Sequence, residues 1–570
     1  MNCQNWAIGS ALLLALVQLA YSSVGTPRIT RVGRYLYDAN GNRFYIKGVA
    51  FEAAKLPNVN RGGLNRGDLI DPLADINACN HAIKNFKRLK INTIRVYSYY
   101  PEIDHSACMN ALEKSGIYVI ADINPPLSGS INKASHTWDV DILTQYIHRI
   151  DSLRSFPNLL AFNIGNEVIT NSENLEAGPY IKARARDVKL YLKSVNSTAL
   201  VSYASADGKK LSAELARFLS CNSGGPSAEL DLFGVNNYRW CGDSNFESTH
   251  EELTLEFQGL TIAAFLSEFG CLNPGKPRGW VEVTALFSTL MSDLWSGGVA
   301  YNYYPTAHGY GLVDNVEGKW IRNKDFENLS QRYQLVKPPN MPKLSSLVVP
   351  KQKCASTNVN SFAITSVLPP QPNVEACNCV DHAAFSCQVR KDASPIVMSE
   401  LLDSACKAIG NSIPPGSGEG CGLISSSPNK GVYGILSACS SATRLNYAMT
   451  RYFINAGLDK KACDFSGNAT VQNPIKLKSA GEVDREVGRC FEINANNSIL
   501  PNKKTTGASK NTPAQINSNA YKNSISGVRG QSGTKSSANS LRPNMKAGKL
   551  VLSLWPLFIV IYNLHSSCSI

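Results

Sequence analysis

From Gly25 to Leu344, short apolar runs recur between stretches whose apolar residues return every three or four positions. Eight runs of five to seven residues read as strands: Tyr45–Phe51, Thr93–Tyr97, Tyr118–Ile123, Leu159–Ile164, Ala199–Tyr203, Leu230–Val235, Thr261–Leu266 and Gly298–Tyr303. Cys79–Leu89, Ala107–Ser115, Val140–Arg154 and Tyr180–Val195 carry the helical spacing. Strands alternating with helices over about 320 residues predict an α/β fold, a (β/α)8 TIM barrel. A doubly wound open sheet is the competing arrangement. No G-x-G-x-x-G follows a strand to support it.

Two more apolar runs lie outside this pattern. Ala7–Ala20 has the length of a secretory h-region, with small Ala20 and Ser22 placed for cleavage after Ser22. Leu550–Leu564 follows a polar spacer and the small residues Ser536, Ser537, Ala538 and Asn539, the order of a GPI-anchor signal. Ser536, Ser537 and Asn539 are the candidate attachment residues. The expected organisation is therefore a signal peptide (1–22), a catalytic domain (25–344), a linker (345–375), a small cysteine-rich module (376–492), a Ser/Asn/Lys-rich stalk (493–549) and a GPI-signal tail (550–570).

Composition changes the picture in two places. The net charge of +13 suggests an anion binder, but nine Lys/Arg and no Asp/Glu fall between Ile493 and Lys549. The rest is near neutral, so nucleic acid is not an expected partner. Sixteen cysteines point to an oxidising compartment. Without Cys3 and Cys568 fourteen remain, an even number, and eight of them crowd into Cys377–Cys490. No C-x2-C pair suggests zinc there. Asn196, Asn328, Asn468 and Asn496 are N-glycosylation sequons.

Candidate chemistry lies at the C-terminal strand ends, where barrels of this kind place their active sites. The fourth strand runs into Asn166-Glu167, the seventh into Ser267-Glu268-Phe269-Gly270-Cys271. Two carboxylates on opposite sides of a barrel mouth suit glycoside cleavage: one protonates the leaving oxygen, the other attacks or activates water. Tyr97, Tyr99, Tyr100, Tyr238, Trp240, Tyr301, Tyr303 and Tyr304 cluster at other strand ends, where rings can stack on sugar and phenols can orient a carboxylate. G-x-S-x-G, H-E-x-x-H and P-loop motifs are absent.

With Asn166-Glu167 and the SEFGC stretch in place, the chain resembles the fungal β-1,3-glucanosyltransferases of glycoside hydrolase family 72. Supporting stretches are DPLAD (Asp71–Asp75), IRVY (Ile94–Tyr97), DHSAC (Asp104–Cys108), GVNNYRWCG (Gly234–Gly242) and WSGGVAYNY (Trp295–Tyr303). The C-terminal region resembles family 43 carbohydrate-binding modules through CNC at Cys377–Cys379, YGILSAC at Tyr433–Cys439 and CDFSGNAT at Cys463–Thr470. The resemblance implies a retaining double displacement, with Glu268 as nucleophile and Glu167 as acid/base. A β-1,3-glucan is cut internally, and its new reducing end passes to the non-reducing end of another glucan. It further implies that Asn166 binds the sugar 2-hydroxyl, that Tyr97 and Tyr238 contact the nucleophile region and that Tyr301 stacks on sugar. Asp122 would lie in the donor cleft, and Arg95 would support Glu268. Glucan donor and acceptor are the implied partners, with no cofactor, no metal, and a monomer tethered to the outer face of the plasma membrane or in the wall. The implied disulfides are Cys79–Cys108, Cys221–Cys354, Cys241–Cys271, Cys377–Cys439, Cys379–Cys490, Cys387–Cys463 and Cys406–Cys421.

Two stretches depart from the family pattern. Phe51-Glu52 stands where the family has an aromatic followed by Gln, and Tyr304-Pro305-Thr306-Ala307 where it commonly has an aromatic with acidic residues. Two alternatives use the same residues: a hydrolytic β-1,3-glucanase, in which water outcompetes the sugar acceptor, and a catalytically idle glucan-binding wall protein.

Overall fold

The computed structural model describes residues 26–54, 69–123, 136–223, 225–273, 275–349, 364–410, 420–475 and 477–495. The signal and tail segments, Asn496, Cys354, Ser536, Ser537 and Asn539 lie outside the described residues.

Eight parallel strands close a barrel in sequence order: β1 (Ile46–Ala50), β2 (Thr93–Val96), β3 (Tyr118–Asp122), β4 (Leu159–Asn166), β5 (Leu200–Ala206), β6 (Leu232–Asn236), β7 (Ala263–Phe269) and β8 (Trp295–Ala300). Strand alternation divides their side chains between two cores. Ile46, Ile120, Leu160, Leu232, Phe265 and Val299 fill the barrel. Val49, Ile94, Val119, Phe162, Val201 and Phe233 pack outward against the helices.

Helix Ile76–Leu89 shows how the outer layer forms. Asp75 caps it by accepting from Asn77 N and Ala78 N, and Lys90 ends it in the left-handed conformation. Cys79, Ala82, Ile83, Phe86 and Leu89 return at helical spacing and are buried, while Lys87 and Arg88 occupy the last turn, where cations complement the helix dipole.

β8 corrects the sequence reading: it begins at Trp295, three residues before the expected Gly298, and ends at Ala300. Ser296, Gly297 and Gly298 have little strand propensity, which hid its start. Gly297 is needed there. Its φ is +88°, and an added Cβ would lie 2.3 Å from Ile46 O of β1. Tyr301, Tyr303 and Tyr304 therefore sit beyond the strand, at the barrel mouth.

The module is built from helices Val374–Ala383, Pro395–Ala408, Ser441–Asn455 and Ala480–Ile493 with the antiparallel pair Cys387–Val389 and Ala469–Val471. Ser479 and Glu482 form a capping box on its last helix. Disulfides join Cys377–Cys439, Cys379–Cys490, Cys387–Cys463 and Cys406–Cys421. In the barrel they join Cys79–Cys108 and Cys241–Cys271. Cys221 is also disulfide-bonded.

Barrel and module share an interface. Val140, at the start of a barrel helix, is buried within the module's core cluster with Val380, Phe385 and Val487. Asp139 beside it faces Arg444 of the module at 3.6 Å. Tyr180 OH donates to Ser426 Oγ at 3.1 Å, and its ring meets Tyr433 edge-on. The segment entering the module is anchored too. Ile364 is buried against Gly178, where an added Cβ would come within 2.7 Å of its Cδ1.

Candidate active site

The mouth of the barrel carries a connected polar network that begins at Arg95. This residue points inward from β2 and is 1% exposed. Its guanidinium grips Asp122 at the end of β3 in a two-pronged pair, Nε to Oδ1 at 3.1 Å and Nη2 to Oδ2 at 2.8 Å. Asn163 of β4 donates to the same Asp122 Oδ2 at 2.9 Å. Burial opposes the Arg95 charge, but Asp122 with Tyr97 and Glu268 overcomes it and holds the guanidinium firmly protonated. Arg95 also donates to Asn166 Oδ1 at 2.9 Å, Ser267 O at 3.2 Å and Glu268 Oε1 at 3.3 Å.

Glu268 is re-aimed by an irregular register. Asn236 of β6 pairs with Glu268, not with Ser267, and the β7–β8 pairing shifts between Leu266 and Phe269. Such bulges turn a side chain toward a site. Both Ser267 and Glu268 consequently engage the mouth. Glu268 Oε1 accepts from Tyr97 OH at 2.9 Å and Oε2 from Tyr238 OH at 2.8 Å. Burial pushes the Glu268 carboxyl up to about 7, against the pull of Arg95 and of the Tyr238 and Tyr97 hydroxyls. Burial, with the carboxylate alongside, raises the Tyr238 phenol, so it stays a donor near neutral pH.

Glu167 leaves β4 with φ +49°, in the left-handed region that a non-glycine residue seldom adopts. Its N–H is tied to Ala204 O at 2.9 Å, and the Tyr203 hydroxyl accepts from Val168 N and Ile169 N. These bonds hold the turn that presents the side chain. Glu167 Oε1 accepts from Asn236 Nδ2 at 2.8 Å.

A second carboxylate–phenol pair borders the site. Tyr301 OH donates to Glu52 Oε2 at 2.7 Å, and burial raises the Glu52 carboxyl against the hydrogen bond and Arg95. Tyr301 meets Tyr97 and Tyr310 edge-on, and Tyr310 reaches Tyr238. Arg278, paired with buried Asp325 at 2.7 Å, holds Gly270 O and Tyr301 O, buttressing the segments after β7 and β8 together. Cys241–Cys271 clasps the segments that follow Tyr238 and Glu268.

The structure thus brings Arg95, Tyr97, Asp122, Asn166, Glu167, Tyr238 and Glu268 into one network, with Tyr301 at its edge. Sequence reasoning did not single out Asn236, Asn163 or Tyr310, and it named Ser267 only as part of the SEFGC stretch. Asn236 was within reach of it: it falls on the inward register of β6, two beyond Gly234, but the strand was expected to stop at Val235. Asn196 is exposed at a helix end. Asn328 donates its amide nitrogen, the atom a glycan would use, to Arg278 O at 2.8 Å, and Asn468 donates to Phe465 O at 3.0 Å. Among the described residues no cluster of His, Cys, Asp and Glu could hold a metal ion.

A closed parallel barrel with two glutamates among tyrosines at its mouth has the layout of a glycoside-bond-processing enzyme of the two-carboxylate type. Residues 19–337 match the glycoside hydrolase family 72 model, described as glucanosyltransferase, and residues 385–470 match the X8 domain. The chain belongs to the glucanosyltransferase family. It is 35% identical to 1,3-beta-glucanosyltransferase gas1 of Schizosaccharomyces pombe, over 89% of this chain and 90% of that protein. Against 1,3-beta-glucanosyltransferase GAS2 of Saccharomyces cerevisiae it is 34% identical, over 80% of this chain and 82% of that one. A solved structure of a Saccharomyces cerevisiae Gas2p variant with laminaritetraose and laminaripentaose superimposes with TM-score 0.69 at 32% identity, covering 81% of this chain and 99% of that one.

Proposed function

We propose that the chain is a retaining β-1,3-glucanosyltransferase that elongates cell-wall glucan, with Glu268 as nucleophile and Glu167 as acid/base. Glu268 Oε attacks the anomeric carbon of an internal glucose while Glu167 gives its proton to the departing glycosidic oxygen. The C–O bond breaks and a glycosyl ester forms. The acceptor's non-reducing-end hydroxyl then attacks the same carbon, gives its proton to Glu167, and releases the Glu268 carboxylate. Atoms and charge balance without a cofactor. The single observation that carries this reading is the pairing at the mouth: Glu268 clamped by Tyr97, Tyr238 and Arg95, with Glu167 held nearby through Asn236.

Asn166 is assigned to the sugar 2-hydroxyl, Tyr301 to stacking on sugar, and Asp122 to holding Arg95 beneath the donor cleft. Laminari-oligosaccharides bound to the Gas2p variant support β-1,3-glucan as the substrate class. The module is assigned to glucan binding. The decisive experiment incubates the protein with reduced laminari-oligosaccharide and sizes the products. Products longer than the substrate establish transfer, only shorter ones establish hydrolysis, and none at all leaves a binder.

The remaining assignments rest on sequence. Residues 1–22 are a secretory signal and 550–570 a GPI signal, which puts a monomeric enzyme on the outer face of the plasma membrane, N-glycosylated and bounded in domains as laid out above. Among the described residues no helix is long and apolar enough to cross a membrane. Release by phosphatidylinositol-specific phospholipase tests the anchor, and recovery of the Leu550–Leu564 peptide from mature protein overturns it.

A further inference from the structure

We propose that Asn236 is the positioning residue of the acid/base: its amide fixes Glu167 Oε1 and leaves Oε2 to carry the transferred proton. The inference rests on the assignment of Glu167 made above and adds a residue to it.

Three observations carry it. First, the amide cannot be turned around. Its Oδ1 faces Ser267 Oγ at 2.8 Å and Arg95 Nη1 at 3.4 Å, and a guanidinium only donates. Arg95 is itself pinned by Asp122, so the amide nitrogen must face Glu167 and Asn166. Second, the amide is saturated. Nδ2 donates to Glu167 Oε1 at 2.8 Å and to Asn166 Oδ1 at 3.1 Å, while Oδ1 accepts twice. Two donors and two lone pairs are all an amide has, so Asn236, 4% exposed, keeps nothing for a sugar hydroxyl. Its role is to position. Third, among the described residues Glu167 Oε2 accepts no hydrogen bond and is not buried, so it is the oxygen left free for a leaving group.

The consequence follows from charge. When Glu167 has given up its proton, the Asn236 bond becomes charge-assisted, roughly twice as strong as a neutral one. The interaction therefore strengthens as the leaving oxygen is protonated, which is the condition for lowering a barrier and not merely binding substrate. Gly234, two residues earlier on β6, lets the strands approach: an added Cβ would lie 2.5 Å from Ser267 Cβ.

The test compares two donors. A laminari-oligosaccharide needs acid help for its leaving group; a dinitrophenyl β-laminarioside does not. General acid–base contributions run to about 10²–10⁴-fold, and loss of positioning forfeits part of that. Asn236→Ala and Asn236→Asp are expected to lower kcat on laminari-oligosaccharide by about 30- to 100-fold with KM within about threefold, while the dinitrophenolate burst falls less than about threefold. The Asp variant still accepts from Ser267 and Arg95 but sets a carboxylate oxygen against Glu167 Oε1, so it loses the donor and adds repulsion, while the Ala variant loses the amide without adding charge. Glu167→Gln is the reference. If it shows the donor gap and the Asn236 variants do not, the inference fails and the assignment of Glu167 stands. If Glu167→Gln shows no gap, both fail. Equal loss on both donors, or misfolding of both variants, makes Asn236 structural and overturns the inference.

Discussion

The barrel and the cysteine-rich module bury their cores by different means. In the barrel, eight strands close on themselves, so no edge is left unpaired, and the apolar layer between strands and helices is continuous from Tyr45 to Ile364. Its described disulfides, Cys79–Cys108 and Cys241–Cys271, each span about thirty residues and tie neighbouring segments (sequence separations 29 and 30). The module has four helices, a three-residue strand pair and two small cores, and four disulfides bind them. Cys379–Cys490 spans 111 residues, nearly its whole length. Where the barrel gets its order from closure, the module gets it from covalent bonds. The difference also divides labour: a rigid closed frame can hold Arg95, Asn236 and two glutamates in register across β2, β4, β6 and β7, which the module's sparse frame could not.

The largest expected effect breaks the chemistry and spares the frame. Glu268→Gln should lower transfer by more than about 10³-fold, since an amide cannot form the ester. Arg95 keeps Asp122 as its partner, so the variant should melt no lower than the native protein. Calorimetry beside product sizing checks both halves. A variant that transfers normally would remove Glu268 from the mechanism.

Next come the covalent ties. In the chain-entropy picture a loop of about 100 residues is worth about 4.7 kcal/mol and one of about 15 residues about 3 kcal/mol. Paired serine replacements of Cys379–Cys490 should therefore cost the module more than those of Cys406–Cys421, whose separation is 15. Replacing Cys241–Cys271 should lower activity as well as stability, because it clasps the segments after Tyr238 and Glu268. Denaturant titration with activity on the same samples separates these outcomes.

The third effect is on pH. Burial raises both Glu268 and Glu282, buried barrel carboxyls, to about 7 from an ordinary value near 4.5. The folded state then holds protons that the unfolded chain releases between those values. Barrel stability contributed by these groups is full below about 4.5 and falls as pH climbs toward about 7. Glu282→Gln should flatten part of that slope. The acid limb of kcat/KM should also lie above an ordinary carboxylate, since Glu268, as the proposed nucleophile, must ionise to attack.

How far these features could be read from sequence follows the same division. Barrel strands announce themselves as apolar runs, and Glu167 and Glu268 stand out because they follow such runs directly. The start of β8 was hidden because Ser296, Gly297 and Gly298 have little strand propensity, and the two glycines answer to close approach instead, Gly297 to Ile46 of β1 and Gly298 to Leu266 of β7. The Asn236 connection was hidden for another reason. It depends on which of two adjacent residues a bulge turns inward, and the β6–β7 register is a tertiary fact. Glu52 was visible as a departure, but its partner Tyr301 lies 249 positions away and meets it only when β8 closes on β1.

The smallest effect tests whether the two regions stand alone. Arg444 and Asp139 meet across the interface at 3.6 Å, with side chains 15% and 6% exposed. An ion pair near the surface contributes about 0–1 kcal/mol, and leaving one partner buried adds to the loss. Asp139 nonetheless keeps its cap on Ile142 N at 3.1 Å after Arg444→Met. The variant should therefore lose about 1–3 kcal/mol and still melt in one transition, because Val140 remains seated in the module's core. Val140→Asp attacks the apolar contact instead and should split the melt, with the barrel outlasting the module. If Arg444→Met alone split it, the ion pair and not the apolar plug would hold the regions together, and the module's dependence on the barrel would be electrostatic and salt-sensitive.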